Sequence, residues 1–224
     1  MDNKLEVNKK HIVPILWPLE QKWIRKVTPK LPSFLNGYNL TWLNIPWIVL
    51  ILFFGWLAKN NISWLWASTA VIVLQYITDC LDGAVGRYRK SGLNKWGYYM
   101  DHLLDYLFVG AIIIGYSFIV PDSYFLLLAI TALLGGFHIN THLITNLSNQ
   151  FQMGYAKIGP TELRVFIITL NVLAIFFGSK IIATVLPYFT ILLLVVLSFS
   201  IYKRQKEIIK MDLNDNHKTP GNID

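Results

Sequence analysis

Residues 79–105 read DCLDGAVGRYRKSGLNKWGYYMDHLLD, and the rest of the chain is organised around them. Asp79 and Asp82 stand at the end of one strongly apolar segment, and Asp101 and Asp105 near the start of the next. On a helix, spacings of three and four residues place the members of each pair on one face. An ionised carboxylate in a membrane helix costs about 2.5–3.5 kcal/mol on insertion scales. Four of them at one depth, with no Lys or Arg between the members of a pair, repel one another. The pattern asks for positive charge among them, and divalent cations held by carboxylate oxygens are the simplest source.

Working outward, the composition agrees with a membrane setting. Of the 224 residues, 54% are hydrophobic and eight are Trp, which fits a multispanning protein better than a water-soluble domain. A single cysteine, Cys80, excludes an internal disulfide and offers no zinc-ligand spacing; it reads as a small buried apolar residue. The net charge of +7 raises the question of nucleic acid. Its distribution argues against that partner and reads instead as a set of membrane orientation signals. The first ten residues are charged and polar, so no cleavable signal peptide is expected.

The fold expected is all-α: a polytopic membrane protein with six transmembrane helices and an N-terminal amphipathic helix in the membrane interface. Residues 11–35 interleave apolar and basic groups around Pro14, Pro18, Pro29 and Pro32. There Ile15, Leu16, Leu19, Trp23 and Ile24 can share a face, with Lys22, Arg25 and Lys26 elsewhere. An ordinary connector packed on the bundle is the competing reading. Six apolar segments follow near 42–58, 62–83, 97–119, 123–144, 162–178 and 181–202, each close to the ~20 residues needed to cross hydrocarbon. The fifth is short enough to need padding at its ends or a re-entrant turn. The expected organisation is a cytoplasmic N-terminal part (1–41), a six-helix catalytic domain (42–203) and a polar tail (204–224), disordered from Asn214.

Charge gives the orientation. With the N-terminus inside, eighteen of the 20 Lys and Arg fall on inner parts and only Lys59 and Lys180 outside. Such a bias sets both termini and the four aspartates at the cytoplasmic face. No internal repeat echoes the acidic pairs, which weighs against an inverted-repeat transporter.

Gly83 and Gly86 follow Asp79 at steps of four and seven residues, so all three lie on one side of their helix. Without side chains they let a ligand or a second helix come close to the backbone. Arg87 follows, a residue suited to phosphate. One acidic pair alone would read as helix-end carboxylates in solvent. Two pairs with Gly83, Gly86, Arg87 and Gly97 between them read as a metal-assisted diphosphate site.

The run Asp79-x2-Asp82-Gly83-x2-Gly86-Arg87, a spacer from Tyr88 to Trp96, then Gly97-x3-Asp101-x3-Asp105, resembles the motif of the CDP-alcohol phosphotransferases. That motif is D-x2-D-G-x2-A-R, a spacer, then G-x3-D-x3-D; Gly86 in place of alanine is the departure. The resemblance implies that an acceptor hydroxyl attacks the β-phosphorus of a CDP-alcohol donor and CMP leaves. It further implies two Mg²⁺ or Mn²⁺ ions on Asp79, Asp82, Asp101 and Asp105, with Asp105 also the candidate general base. On the same analogy Asp79, Gly83, Gly86, Arg87 and Gly97 border the nucleotide. Family members are often dimers, so a second copy joins donor, acceptor alcohol and membrane lipids as a candidate partner.

The second half carries a finer clue. His138 and His142 share a helix face, and Gly159-Pro160-Thr161-Glu162 opens the fifth segment. Packing histidines and a helix-start carboxylate are the plain readings. The order Asp101-His102, His142, Gly154, Thr161-Glu162 is also similar to choline/ethanolamine phosphotransferases. That likeness implies that His102 and Glu162 help activate the acceptor hydroxyl, and leans to a CDP-choline or CDP-ethanolamine donor with a diacylglycerol-like acceptor. The alternative is transfer of a phosphatidyl group from CDP-diacylglycerol to a small polar alcohol; a phosphorylated acceptor would want a basic pocket, for which Lys157 and Arg164 are the candidates. A membrane prenyltransferase fits less well, because both acidic motifs fall within 27 residues. A cation channel or transporter would need polar groups continuing across the bilayer, and the segments outward of the acids are nearly all apolar.

Overall fold

A computed structural model describes residues 17–148 and 160–218, and among these every regular element is helical. Six helical stretches are long and apolar enough to cross a membrane: Gly37–Ala58, Ile62–Tyr88, Asn94–Ile119, Pro121–Thr145, Pro160–Phe177 and Lys180–Leu213. The chain is an all-α polytopic membrane protein.

Helix α1 (Trp17–Val27) buries Ile24 and leaves Leu19 and Trp23 exposed. It therefore packs one side on the bundle and still shows apolar side chains outward; Ile15, Leu16 and the rest of 11–16 lie outside the described residues. A single 3₁₀ turn at Thr28–Lys30 follows. Pro29 and Pro32, which lack an N–H, keep the chain from continuing as α-helix here. Helix α2 (Gly37–Trp42) starts at Asn36, whose side chain accepts from Asn39 N–H at 2.8 Å. Leu43 keeps helical dihedrals (φ −63°, ψ −17°) and leads directly into α3 (Asn44–Ala58). The first span is thus longer at its start than the apolar run from residue 42 suggests.

Helices α4 (Leu65–Tyr88) and α5 (Asn94–Ile119) carry the aspartates, and their connection turns through Lys90 (φ 52°) and Gly92 (φ 75°). Helix α6 is Tyr124–Ser148 and α7 is Pro160–Phe177, followed by Gly178 at φ 87°. The Gly178 N–H bonds the Ala174 carbonyl at 2.9 Å, a left-handed cap that satisfies an end carbonyl. With 18 residues α7 is one unbroken helix, about 27 Å long at 1.5 Å per residue, so it crosses without a re-entrant turn, although it stays short of the roughly 30 Å hydrocarbon core. Helix α8 runs from Lys180 through Lys218. This corrects the disordered tail expected from Asn214, at least through Lys218: residues 203–213 are mostly strong helix formers, and an Arg204–Glu207 ion pair at 2.5 Å joins successive turns.

Ile72, Phe108, Ala174 and Ile182 fill the centre of the bundle, while Phe125, Phe177, Tyr188 and Val195 face outward. Large apolar side chains on the outside are what lipid solvates. Small residues let the helices close up. A Cβ on Gly55 of α3 would come within 2.6 Å of the Gly115 Cα of α5. A Cβ on Gly37 of α2 would meet the Asp82 carbonyl oxygen at 2.9 Å and the Gly86 Cα at 3.2 Å. These two close approaches seat α2 and α3 against the helices that carry the acids.

Candidate active site

Asp79 from α4 meets Asp101 and Asp105 from α5: one carboxylate oxygen from each lies within 4.8 Å of the others. The α4–α5 turn reverses the chain, so the acids at the end of one helix face those near the start of the next. Among the described residues the converging group excludes both Asp82 and Glu162. Three hard oxygen donors at that spacing suit Mg²⁺ or Mn²⁺.

A positive group is already built into the cluster. The Arg164 Nη2 of α7 donates to Asp79 Oδ2 at 2.8 Å and to Asp105 Oδ1 at 2.9 Å. Its Nε donates to Gln75 Oε1 at 3.1 Å, and its guanidinium carbon lies 5.6 Å from the centre of the Tyr76 ring. Gln75, fully buried, passes its amide on to Asn44 Oδ1 at 3.0 Å and Asp105 Oδ1 at 3.2 Å. This corrects two expectations. Part of the charge compensation comes from the protein itself, and Arg164, placed by sequence in a pocket for a phosphorylated acceptor, is spent on the acids.

Asp82 turns elsewhere. It is buried, accepts from Thr41 Oγ1 of α2 at 2.9 Å, and its other oxygen accepts from the Gly83 N–H. The one Thr41 hydroxyl proton is shared between Asp82 Oδ2 and the Gly37 carbonyl, which is also 2.9 Å away, and its bond to Asp82 ties α4 to α2. The shared face of Asp79 and Asp82 is thus divided between the carboxylate cluster and the α2 contact.

Arg87 folds back over Gly83: a Cβ there would stand 3.2 Å from Arg87 Nη1. Gly86 borders the α2 crossing through Gly37, whereas nothing lies within 4 Å of a Cβ built on Gly97. Space beside the helix backbone therefore persists at Gly97 and is partly taken up at Gly86. The neighbouring Arg89 pairs with no acid among the described residues; its Nη1 and Nη2 donate to the carbonyls of Leu31, Pro32, Ser33 and Leu35 at 2.8–3.1 Å. That guanidinium satisfies loop carbonyls that no helix can serve.

His102 Nδ1 sits 3.2 Å from Asp101 Oδ2, and its ring lies against Tyr98 with centroids 4.3 Å apart. Glu162 occupies the first turn of α7, two residues before Arg164. Next to it Thr161 Oγ1 donates to Glu20 of α1 at 3.0 Å, and Tyr76 OH reaches the same Glu20 oxygen at 3.1 Å. Gly154 and Lys157 lie outside the described residues. Gln75, Asn44, Thr41 and Glu20 escaped the sequence reading as site residues, and Arg164 was expected beside an acceptor rather than on the acids. The signal for two of them was present: Gln75 and Arg164 are polar groups inside apolar spans, where such residues are functional by default.

No curated protein matches the chain. A family model described as CDP-alcohol phosphatidyltransferase matches residues 31–202, which takes in α2 through most of α8 and every residue of the carboxylate cluster. On the strength of that match over most of its length, this chain belongs to the CDP-alcohol phosphatidyltransferase family.

Proposed function

We propose that this protein transfers a substituted phosphate from a CDP-alcohol to the hydroxyl of an acceptor alcohol, with release of CMP, in a divalent-cation-dependent reaction. The observation that carries the reading is the convergence of Asp79, Asp101 and Asp105 from two helices onto one point. Asp79, Asp101 and Asp105 would hold the ions, with Asp82 contributing through lone pairs left over from Thr41 and Gly83. Such ions neutralise the diphosphate and the departing CMP.

The protein's own residues do the rest. Gln75 and Arg164 both bond Oδ1 of Asp105, so the carboxylate is oriented and Oδ2 is the oxygen left to take a proton. The acceptor hydroxyl gives its proton there as its oxygen bonds to the β-phosphorus. The bond from that phosphorus to the bridging oxygen breaks, and the electron pair leaves with CMP. His102, beside Asp101, and Glu162 are the further candidates for handling the acceptor proton. Gly83, Gly86 and Gly97 would keep side chains away from the nucleotide, and Arg87, folded over Gly83, would meet its phosphate oxygens.

The donor we favour is CDP-choline or CDP-ethanolamine, with a diacylglycerol-like acceptor. Arg164 supports this choice, because three of its five N–H groups are already taken by Gln75, Asp79 and Asp105, which leaves less of it for a phosphorylated acceptor. The site faces the cytoplasm with both termini, as the bias of basic residues indicates. The test is a substrate panel on purified protein with Mg²⁺: CDP-choline or CDP-ethanolamine plus diacylglycerol, against CDP-diacylglycerol plus water-soluble alcohols. CMP release in the first set is expected. Release only in the second defeats the choice of donor, and release in neither defeats the transfer reaction.

A further inference from the structure

We propose that His138 and His142 of α6 form a transition-metal site, separate from the carboxylate cluster, that takes Zn²⁺ and draws His102 in as a third ligand. The two residues are one turn apart, and their Nε2 atoms stand 3.2 Å from each other. Two nitrogens bound to one tetrahedral Zn²⁺ at about 2.0–2.1 Å lie about 3.3–3.4 Å apart, so the two nitrogens already have close to the spacing that one ion would impose. Tyr98 OH lies 3.3 Å from His142 Nδ1, on the side of the ring away from the pair. A polar partner on the second ring nitrogen fixes the orientation of a metal-bound imidazole. The His102 ring centroid lies 5.0 Å from that of His142 and 6.3 Å from that of His138.

The chemistry differs from that of the aspartates. Imidazole selects zinc, copper or nickel, whereas carboxylate selects magnesium or manganese. The two sites therefore sort ions by donor type although His102 touches both. Zn²⁺ on the histidines competes with Asp101 for His102, and so slows transfer; this consequence rests on the role given to His102 above, while the binding itself does not.

Calorimetric titration of the full chain with Zn²⁺, in Mg²⁺ sufficient to saturate the carboxylates, tests the site. One Zn²⁺ per chain is expected, weakened by about tenfold or more in His138→Gln and His142→Gln. Equal binding by wild type and both variants, or none by wild type, overturns the proposal. X-ray absorption of the Zn²⁺-loaded wild type requires no variant to fold: a nitrogen shell at about 2.0–2.1 Å with imidazole scattering is expected, and oxygen ligands alone overturn it. In turnover assays, Zn²⁺ should inhibit wild type and spare His142→Gln; histidine-bound Zn²⁺ without inhibition overturns the regulatory half. Absence of turnover under every condition refutes the transfer reaction but leaves the titration to decide the site.

Discussion

At the scale of single residues, Arg164 is the most informative side chain. It touches Asp79, Asp105 and Gln75 at once and is nearly buried. Removing one partner of a buried charge set leaves the others uncompensated, at a cost of about 3–5 kcal/mol. Arg164→Met should therefore lower the thermal unfolding temperature markedly in metal-free buffer, and Mg²⁺ should restore more of it than it adds to wild type. Arg164→Lys should fall between, since an ammonium does not reproduce the planar fork that meets two carboxylates and an amide. A variant as stable as wild type without metal would show that the aspartates need no internal cation. The acids themselves were legible in sequence, because charge inside an apolar run has few innocent explanations. Their partners were not: Thr41 meets Asp82 across 41 positions, and Arg164 meets Asp79 across 85. No local pattern encodes such distant pairings.

At the scale of elements, glycine contacts set how closely the helices approach. The Gly55 position is tight against backbone, with 2.6 Å from a built Cβ to the Gly115 Cα, whereas a Cβ on Gly115 would keep 3.5 Å from the Gly55 Cα. Gly55→Val should cost about 1–3 kcal/mol by forcing α3 off α5, and Gly115→Ala should cost clearly less. Thermal unfolding of the two variants side by side checks the asymmetry; equal losses would mean that the crossing is looser than drawn. The spans were readable as elements because hydropathy over ~20 residues is a strong signal. Their ends were not. The cap at Asn36 and the continuation of α8 past residue 202 rest on polar residues that a hydropathy window treats as loop.

At the scale of the whole molecule, sidedness joins the fold to its substrates. The proposed reaction must admit a water-soluble nucleotide head from one side and a lipid tail from the other. Single cysteines introduced at Ser91 in the α4–α5 turn and at Asn60 after α3, in a Cys80→Ala background, should label from opposite faces of sealed vesicles. The Ser91 position should react from the cytoplasmic side. Labelling of both from one face would reverse or break the topology drawn from the basic residues. That bias was legible because it sums over the chain, although Arg164, counted among the inner charges, lies within α7. The joining of α1 to the core through Glu20, Tyr76 and Thr161 was not legible, because it depends on three elements meeting at one carboxylate.

Alcohol-dependent release of CMP by purified wild type and Asp101→Asn, assayed across a range of Mg²⁺, is the most direct measurement. Wild type should release CMP only with both acceptor and Mg²⁺ present. The Asp101→Asn variant should lose at least about 100-fold at every Mg²⁺ concentration while keeping its unfolding temperature. Undiminished release by Asp101→Asn, or release by wild type indifferent to the divalent ion, would contradict a reaction run by carboxylates converging on metal.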